Sequence, residues 1–480
     1  MIRVYETCEQ GAEEISVTVG GKPAPVQTAY VSAYPINCRW PGHQRPEYQR
    51  DLSYFVRFEA DEDAEIVVKW KNPVQRAVLK PRSSGEVLSV CGDEIRFVSK
   101  ETGGSVLVSD GYRNTIHFFR DVPQKNAQKP EGENVLYFGP GFHDVGIVQL
   151  HGGQTVYIDE AAVVYGGFHA ENADNIRICG RGILDNSRCK EKIVREIEPD
   201  YTDADSLNAV REHTVQFIRC NNVRVEGIVI RDSLVYNITT FACRDFYVEN
   251  VKLIGNWRYN SDGIDMHNTA HARVTGCFLR TYDDSVCIKG NVNFGDDCAD
   301  ILVENCVIWN DWGNALHVGV ETCAERMHDI VFRHCKVIRV TGSALNVGNV
   351  DYGDICGVLY EDIEIEADED CQPAVLQEAE NQPLPALSEK GAYQPPLFVF
   401  QLYRHHEYSV GARRGKIHGV TFRNIRITSP GEIKSYVYST AEPIADVTFE
   451  NIVLNGEKIT SIEQLHFSSL ENTENFRVRQ

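Results

Sequence analysis

Asp262, in the run Asn260-Ser261-Asp262, and the adjacent pair Asp283-Asp284 are the residues whose types and spacing could do chemistry. Twenty-one residues separate Asp262 from Asp283, about one turn of a repeating chain, so stacked turns would bring three carboxyls to one patch. Like charges that close cannot all stay ionised, and at least one carboxyl must hold a proton near neutrality. That carboxyl can protonate a leaving glycosyl oxygen while its ionised neighbours hold and deprotonate water. Asp-rich solenoid turns can instead bind calcium. These runs occur once each, however, and do not recur down the chain as calcium turns do.

A repeat supplies the stacking. Segments 176–181, 223–228, 246–251, 272–277, 301–306, 330–335, 358–363, 420–425 and 447–452 share three alternating apolar positions with a polar pair between the second and third. The second apolar position falls at 178, 225, 248, 274, 303, 332, 360, 422 and 449, so the steps run from 23 to 29 residues except for 178 to 225 (47) and 360 to 422 (62). Val, Ile and Phe at period two, with no helical spacing, read as stacked strands. The expected fold is all-β, a right-handed parallel β-helix whose two outsized steps carry insertions at 186–213 and 367–416. Asn250, Asn305, Asn424 and Asn451 share one repeat position and are expected to form a ladder of side-chain amides at a turn. Cys277, Cys306 and Cys335 share an apolar position, where thiols act as small hydrophobes rather than as convergent metal ligands.

Aligning the strand after each turn fixes the register. Asp262, Asp284, Asn314 and Ser343 fall in one column and Asp265, Cys287, His317 and Asn346 in another, with Asp283 one place outside the first. Neighbouring rungs are about 4.8 Å apart, so the three carboxyls fit around one glycosidic bond.

Residues 1–130 differ in character. Stretches at 14–19, 54–59, 64–70 and 94–99 alternate apolar and polar residues between Gly, Asp and Pro breakers, as in an antiparallel β-sandwich. A polar linker at 123–134 divides this region from the β-helix of 131–480. The segment 39–45 is aromatic and basic, suited to packing against the second domain or to stacking on a sugar. With 480 residues and 42% hydrophobic content the chain can bury a large core. A net charge of −21 argues against nucleic acid and anionic lipid as partners, and weakly against a polyanionic sugar. No run approaches transmembrane length, and the N-terminus lacks an apolar signal core. Fifteen cysteines, an odd number with several on core positions, fit free thiols in a reducing compartment, so a cytoplasmic protein is expected.

At the acidic residues the chain resembles the inverting glycoside hydrolases of the polygalacturonase family (family 28) and the dextranase family (family 49). Asn260-Ser261-Asp262-Gly263-Ile264-Asp265 is similar to the polygalacturonase motif Asn-Thr-Asp-Gly-x-Asp, and Asp283-Asp284-Ser285-Val286-Cys287-Ile288-Lys289 to the Asp-Asp segment that follows it. The likeness extends over about 135–455; Tyr137-Phe138-Gly139-Pro140-Gly141 and Gly180-Arg181-Gly182 are most similar to the dextranase side, whose members also carry an N-terminal sandwich. The resemblance implies Asp283 as general acid, with Asp262 and Asp284 positioning and activating water by single-displacement inversion. It implies neither cofactor nor metal. Where the family has Gly-His-Gly-x-Ser the chain has Gly313-Asn314-Ala315-Leu316-His317, and where it has an Arg-x-Lys grip on a uronate carboxylate the chain has Ala344-Leu345-Asn346. Losing two cations makes a neutral oligo- or polysaccharide the expected substrate rather than a galacturonan.

Asn260, Asp265, Asn314, Lys289 and His317 flank the acids and are the expected substrate contacts, with Trp257 and Tyr236 as candidate sugar-stacking rings. The insertions could wall the cleft, and His405-His406 and Arg413-Arg414 could equally serve a subunit interface, leaving oligomeric state open. Two other classes stay in view: a silent carbohydrate-binding β-helix, which has no need of crowded carboxylates, and a polysaccharide lyase, which combines calcium with a basic residue at a uronate.

Overall fold

The computed structural model describes the chain apart from residues 39–44, 86, 124–128, 190–212, 378, 380–381, 384–385, 406–408 and 441. All nine repeat segments form strands of one 13-stranded parallel sheet, from Ile176–Gly180 through Ala270–Thr275 to Ile444–Glu450. The second apolar positions pair rung to rung in the expected register: Ile178, Val225, Val248, Val274, Val303, Phe332, Tyr360, Phe422 and Phe449. All are buried, and the last four rings stack with centroids 4.8, 5.0 and 5.1 Å apart. A second sheet of 20 strands takes two strands from each coil, such as Ile264–His267 and Phe278–Thr281, and completes a right-handed parallel β-helix.

The turn ladder is partly as expected. Asn250, Asn305, His334, Asp362, Asn424 and Asn451 all hold φ between +53° and +55°, the left-handed region that Asn and Asp tolerate best among residues with a Cβ. Asn451 Nδ2 donates to Asn424 Oδ1 (2.8 Å) and Asn424 Nδ2 to Asp362 Oδ1 (2.9 Å). Asn250 breaks the pattern by donating to Asp121 Oδ1 (2.8 Å), outside the solenoid.

Two sheets of six and five strands precede the coils and bury Val56, Phe58, Ile66, Val68, Phe97 and Phe118 between them. This sandwich is not wholly antiparallel, since Thr115–Asp121 runs parallel to Arg50–Ala60. Its outer face lies along the solenoid: Val31, Phe55, Val106 and Phe119 pack on Val163, Ile183, Val229, Ile254, Phe278, Trp309 and Ile338. Contact is so close at Gly104 that a Cβ there would lie 2.1 Å from the Phe278 ring. Buried ion pairs line the seam, including Lys252 to Asp121 (2.5 Å) and Lys80 to Asp368 (2.7 Å).

The insertion expected over 367–416 is not wholly outside the stack. Pro396–Leu402 is a regular rung between Ser343–Asn349 and Lys434–Ser439, while Val375–Gln377 pairs with Ile36–Cys38 of the N-terminal region. Arg413 is paired with Glu325 (2.8 Å). Most of 186–213, all of 39–44 and His406 lie outside the described residues.

Candidate active site

Both columns read from the sequence form. Thr239, Asp265, Cys287, His317 and Asn346 are successive partners on five rungs, and Gly263 N–H donates to Asp284 O, setting the Asp262 turn on the Asp284 turn. One carboxylate oxygen from each of Asp262, Asp283 and Asp284 lies within 4.8 Å of the others. The turn carrying the pair is tied down from both sides. Thr281 Oγ1 donates to Asp283 O (2.8 Å), and Asn310 Nδ2 donates to the same carbonyl (2.6 Å). Gly313 crosses directly over it, where a Cβ would sit 2.6 Å from Asp283 Oδ1, so only glycine lets the next rung pass.

Environment separates the two neighbours. Asp283 is half-buried, and burial beside Asp284 raises its carboxyl to about 8. Asp284 is also buried, which opposes ionisation, yet it lies below the usual carboxylate range because His317, the Lys289 charge and the Asn314 backbone N–H outweigh that effect. His317 Nδ1 donates to Oδ2 (3.1 Å), Asn314 donates to Oδ1 through its backbone N–H (2.8 Å) and its Nδ2 (2.7 Å), and the Cys287 thiol sits 3.6 Å from Oδ2. Asn314 is itself oriented by Ser343 Oγ (2.5 Å) and Asn346 Nδ2 (3.1 Å), both donating to its Oδ1.

Lys289 belongs to this cluster rather than to an open subsite. Its ammonium is buried, 2.8 Å from Asp265, 3.2 Å from Asp262 and 4.9 Å from the Tyr236 ring centroid. Burial pushes Asp265 up to about 6 against the pull of Lys289. Asp262 is pushed up by burial and by Asp265, Asp283 and Asp284, and its Oδ1 has no hydrogen-bond partner. His317 Nε2, Asn346 Oδ1 and Asp265 Oδ1 are likewise buried without a hydrogen-bond partner beside the acids. A divalent ion at Asp262, Asp283 and Asp284 would compete with the Lys289 charge and with the proton on Asp283.

Across residues 140–379 the sequence matches the model of glycosyl hydrolases family 28. The chain belongs to that family. A dextranase from Arthrobacter sp. (strain CB-8) is 21% identical over 222 residues, 43% of this chain and 32% of the dextranase, so the chain spans about a third of the curated relative it matches. Two solved structures are similar in fold. Dex49A from Penicillium minioluteum covers 100% of this chain and 96% of its own (TM-score 0.57, 12% identity). A hyperthermoactive exopolygalacturonase from Thermotoga maritima covers 68% of this chain and 85% of its own (TM-score 0.51, 17% identity).

Within this family 28 chain the expected contacts divide. Asn314 and His317 reach the acids, as Asp265 and Lys289 do, while Asn260 occupies the turn before them at φ +52°. Trp257 does not offer a stacking face: it is 2% exposed, its Nε1 donates to Asp232 (3.0 Å), and Arg50 and Arg258 lie 5.0 and 4.8 Å from its ring centroid. Tyr236 is 6% exposed and contacts the His213 ring (4.7 Å), so it supports Lys289 from below. Sequence reasoning passed over Trp312, half-buried on the turn that follows the acids and stacked on Tyr282 (6.0 Å). Its place directly before Gly313 was the available signal.

Proposed function

We propose that the protein hydrolyses O-glycosidic bonds of a neutral glycan in one displacement. Asp283 gives its proton to the leaving glycosyl oxygen, Asp284 takes a proton from water as that water attacks the anomeric carbon, and Asp262 Oδ1 is the second contact of the water. The observation that carries this reading is the opposite displacement of two adjacent carboxyls, one kept protonated and one kept ionised, as an acid and a base working together require. Ala344 and Asn346 are buried where the resemblance has a uronate-gripping pair, and Lys289 is already engaged by Asp262 and Asp265. Both support an uncharged substrate, and the dextranase match points the same way.

Spacing alone argues differently. Oxygens within 4.8 Å are nearer to the 5–5.5 Å of double-displacement sites than to the 6.5–9.5 Å of inverting ones. We favour inversion because Asp262 and Asp284 can share one water, and neither stands apart as a nucleophile. NMR of the first-formed product anomer, on isomalto-oligosaccharides and oligogalacturonides in parallel, tests both parts. Inverted product from the neutral substrate is expected. Retained configuration would overturn the single displacement, and efficient cleavage of oligogalacturonides would overturn the neutral substrate.

A further inference from the structure

The geometry points to a second site, unrelated to the acids: we infer that Asp354, Cys356 and His418 bind a zinc-type divalent ion on the outer face of the 13-stranded sheet. Strands Asp354–Glu361 and Lys416–Arg423 are adjacent, with Asp354 opposite Lys416 and Cys356 opposite His418. Ile355 and Ile417, between them in each strand, are fully buried, so the three side chains share the outward face. A carboxylate oxygen, the thiol sulfur and an imidazole nitrogen all lie within 4.8 Å of one another, and His418 Nε2 is 2.8 Å from Asp354 Oδ1. Ligand atoms at about 2.0–2.3 Å from zinc stand roughly 3.3–3.8 Å from each other, so the trio needs to close by only about 1 Å. Asp354 and His418 are 40% and 41% exposed, which leaves them room to do so.

The donor chemistry selects the ion. Calcium and magnesium take oxygen ligands, whereas one sulfur, one imidazole and one carboxylate suit zinc or cobalt. The inward cysteine column at 277, 306 and 335 has no such mixture and is core. A fourth ligand has to come from outside the trio. His328 is the partner of Cys356 on the preceding rung, and its Nδ1 is 2.7 Å from Asp329 Oδ2, the carboxylate support that metal-bound imidazoles use. Nε2 of His328, or water, can complete a tetrahedron. Arg326 is the group that must yield: its exposed guanidinium is 3.7 Å from Cys356 Sγ, and its long arm can swing into solvent as the thiol proton leaves.

Position suggests what the ion does. Cys356 and His418 lie on either side of the long step in the repeat, so the ion would fasten two adjacent rungs whose connection, 362–415, is 54 residues long. Closing a long loop through a folded-state ligand stabilises the protein without altering the acids. Full-length protein, stripped with chelator, should take up one equivalent of Co(II) with a thiolate-to-metal charge-transfer band and tetrahedral d–d bands. Its unfolding temperature should climb with Zn(II) concentration. Cys356→Ala and His418→Ala should each weaken binding at least tenfold and abolish the charge-transfer band or the rise, respectively. Absence of both signals in the unaltered protein would overturn the inference. So would signals that persist in Cys356→Ala and vanish in Cys287→Ala, because the buried trio Asp284, Cys287 and His317 would then be the site.

Discussion

Asp283→Asn separates a catalytic carboxyl from a structural one. The native carboxyl keeps its proton to about 8 against an ordinary 3.8, so between those values the unfolded chain binds fewer protons than the folded one. Stability therefore falls as pH rises through that window. At about 1.36 kcal/mol per pH unit the burden is at most a few kcal/mol at pH 7 and is smaller at pH 5. Asparagine has no such proton to lose, and its Oδ1 can still accept the Asp284 backbone N–H that the carboxylate accepts at 3.0 Å. Turnover should drop by about 10² to 10⁴. The unfolding temperature should nevertheless rise above that of the parent protein, and by more at pH 7 than at pH 5. Calorimetry at the two pH values, beside turnover on the best neutral substrate, reads both effects. Turnover within a few-fold of the parent would refute the acid assignment, and an unfolding temperature no higher at pH 7 would refute the electrostatic reasoning behind it.

The alkaline limb of kcat/KM should report Asp283, with activity lost as pH rises through about 8. His317→Gln removes a donor that holds Asp284 ionised, so the acid limb should move to higher pH; an unmoved limb would show that Asn314 suffices. Lys289→Met leaves Asp262 and Asp265 without their shared cation, and breaking a buried pair this way costs about 3–5 kcal/mol. That loss should deepen above pH 6, where Asp265 ionises, and a pH-independent unfolding temperature would argue against it. Gly104→Val drives a side chain into Phe278, an overpacking worth about 1–3 kcal/mol that calorimetry would register as a lower unfolding temperature. An unchanged unfolding temperature would mean that sandwich and solenoid are less tightly apposed.

Strand period and repeat length were enough to read the register, because a parallel stack repeats its inside-outside pattern on every rung. Asp265, Cys287, His317 and Asn346 could be aligned without coordinates for that reason. The same pattern says nothing about which outward side chains another layer will cover. Trp257 looked available and lies under Arg50 from the sandwich; Asn250 looked like a ladder amide and is spent on Asp121. Lys289 likewise points outward by alternation, but only its ion pairs show that its charge is absorbed by two carboxylates. Pro396–Leu402 went unread because a run of apolar residues lacks the alternation that marked the other rungs.

The sandwich along the flank of the coils also sets how the protein comes apart. A bare solenoid holds each coil only by its neighbours and can fray from either end, one rung at a time. Here a rigid splint grips coils from Val163 to Ile338, and Lys80 extends the grip to Asp368. Rungs inside that span can open only if the splint lets go of all of them together, whereas among the described residues none from Lys416 onward belongs to the apolar seam. Hydrogen exchange should therefore begin at the C-terminal coils and leave the rungs bearing Asp262, Asp283 and Asp284 until global unfolding.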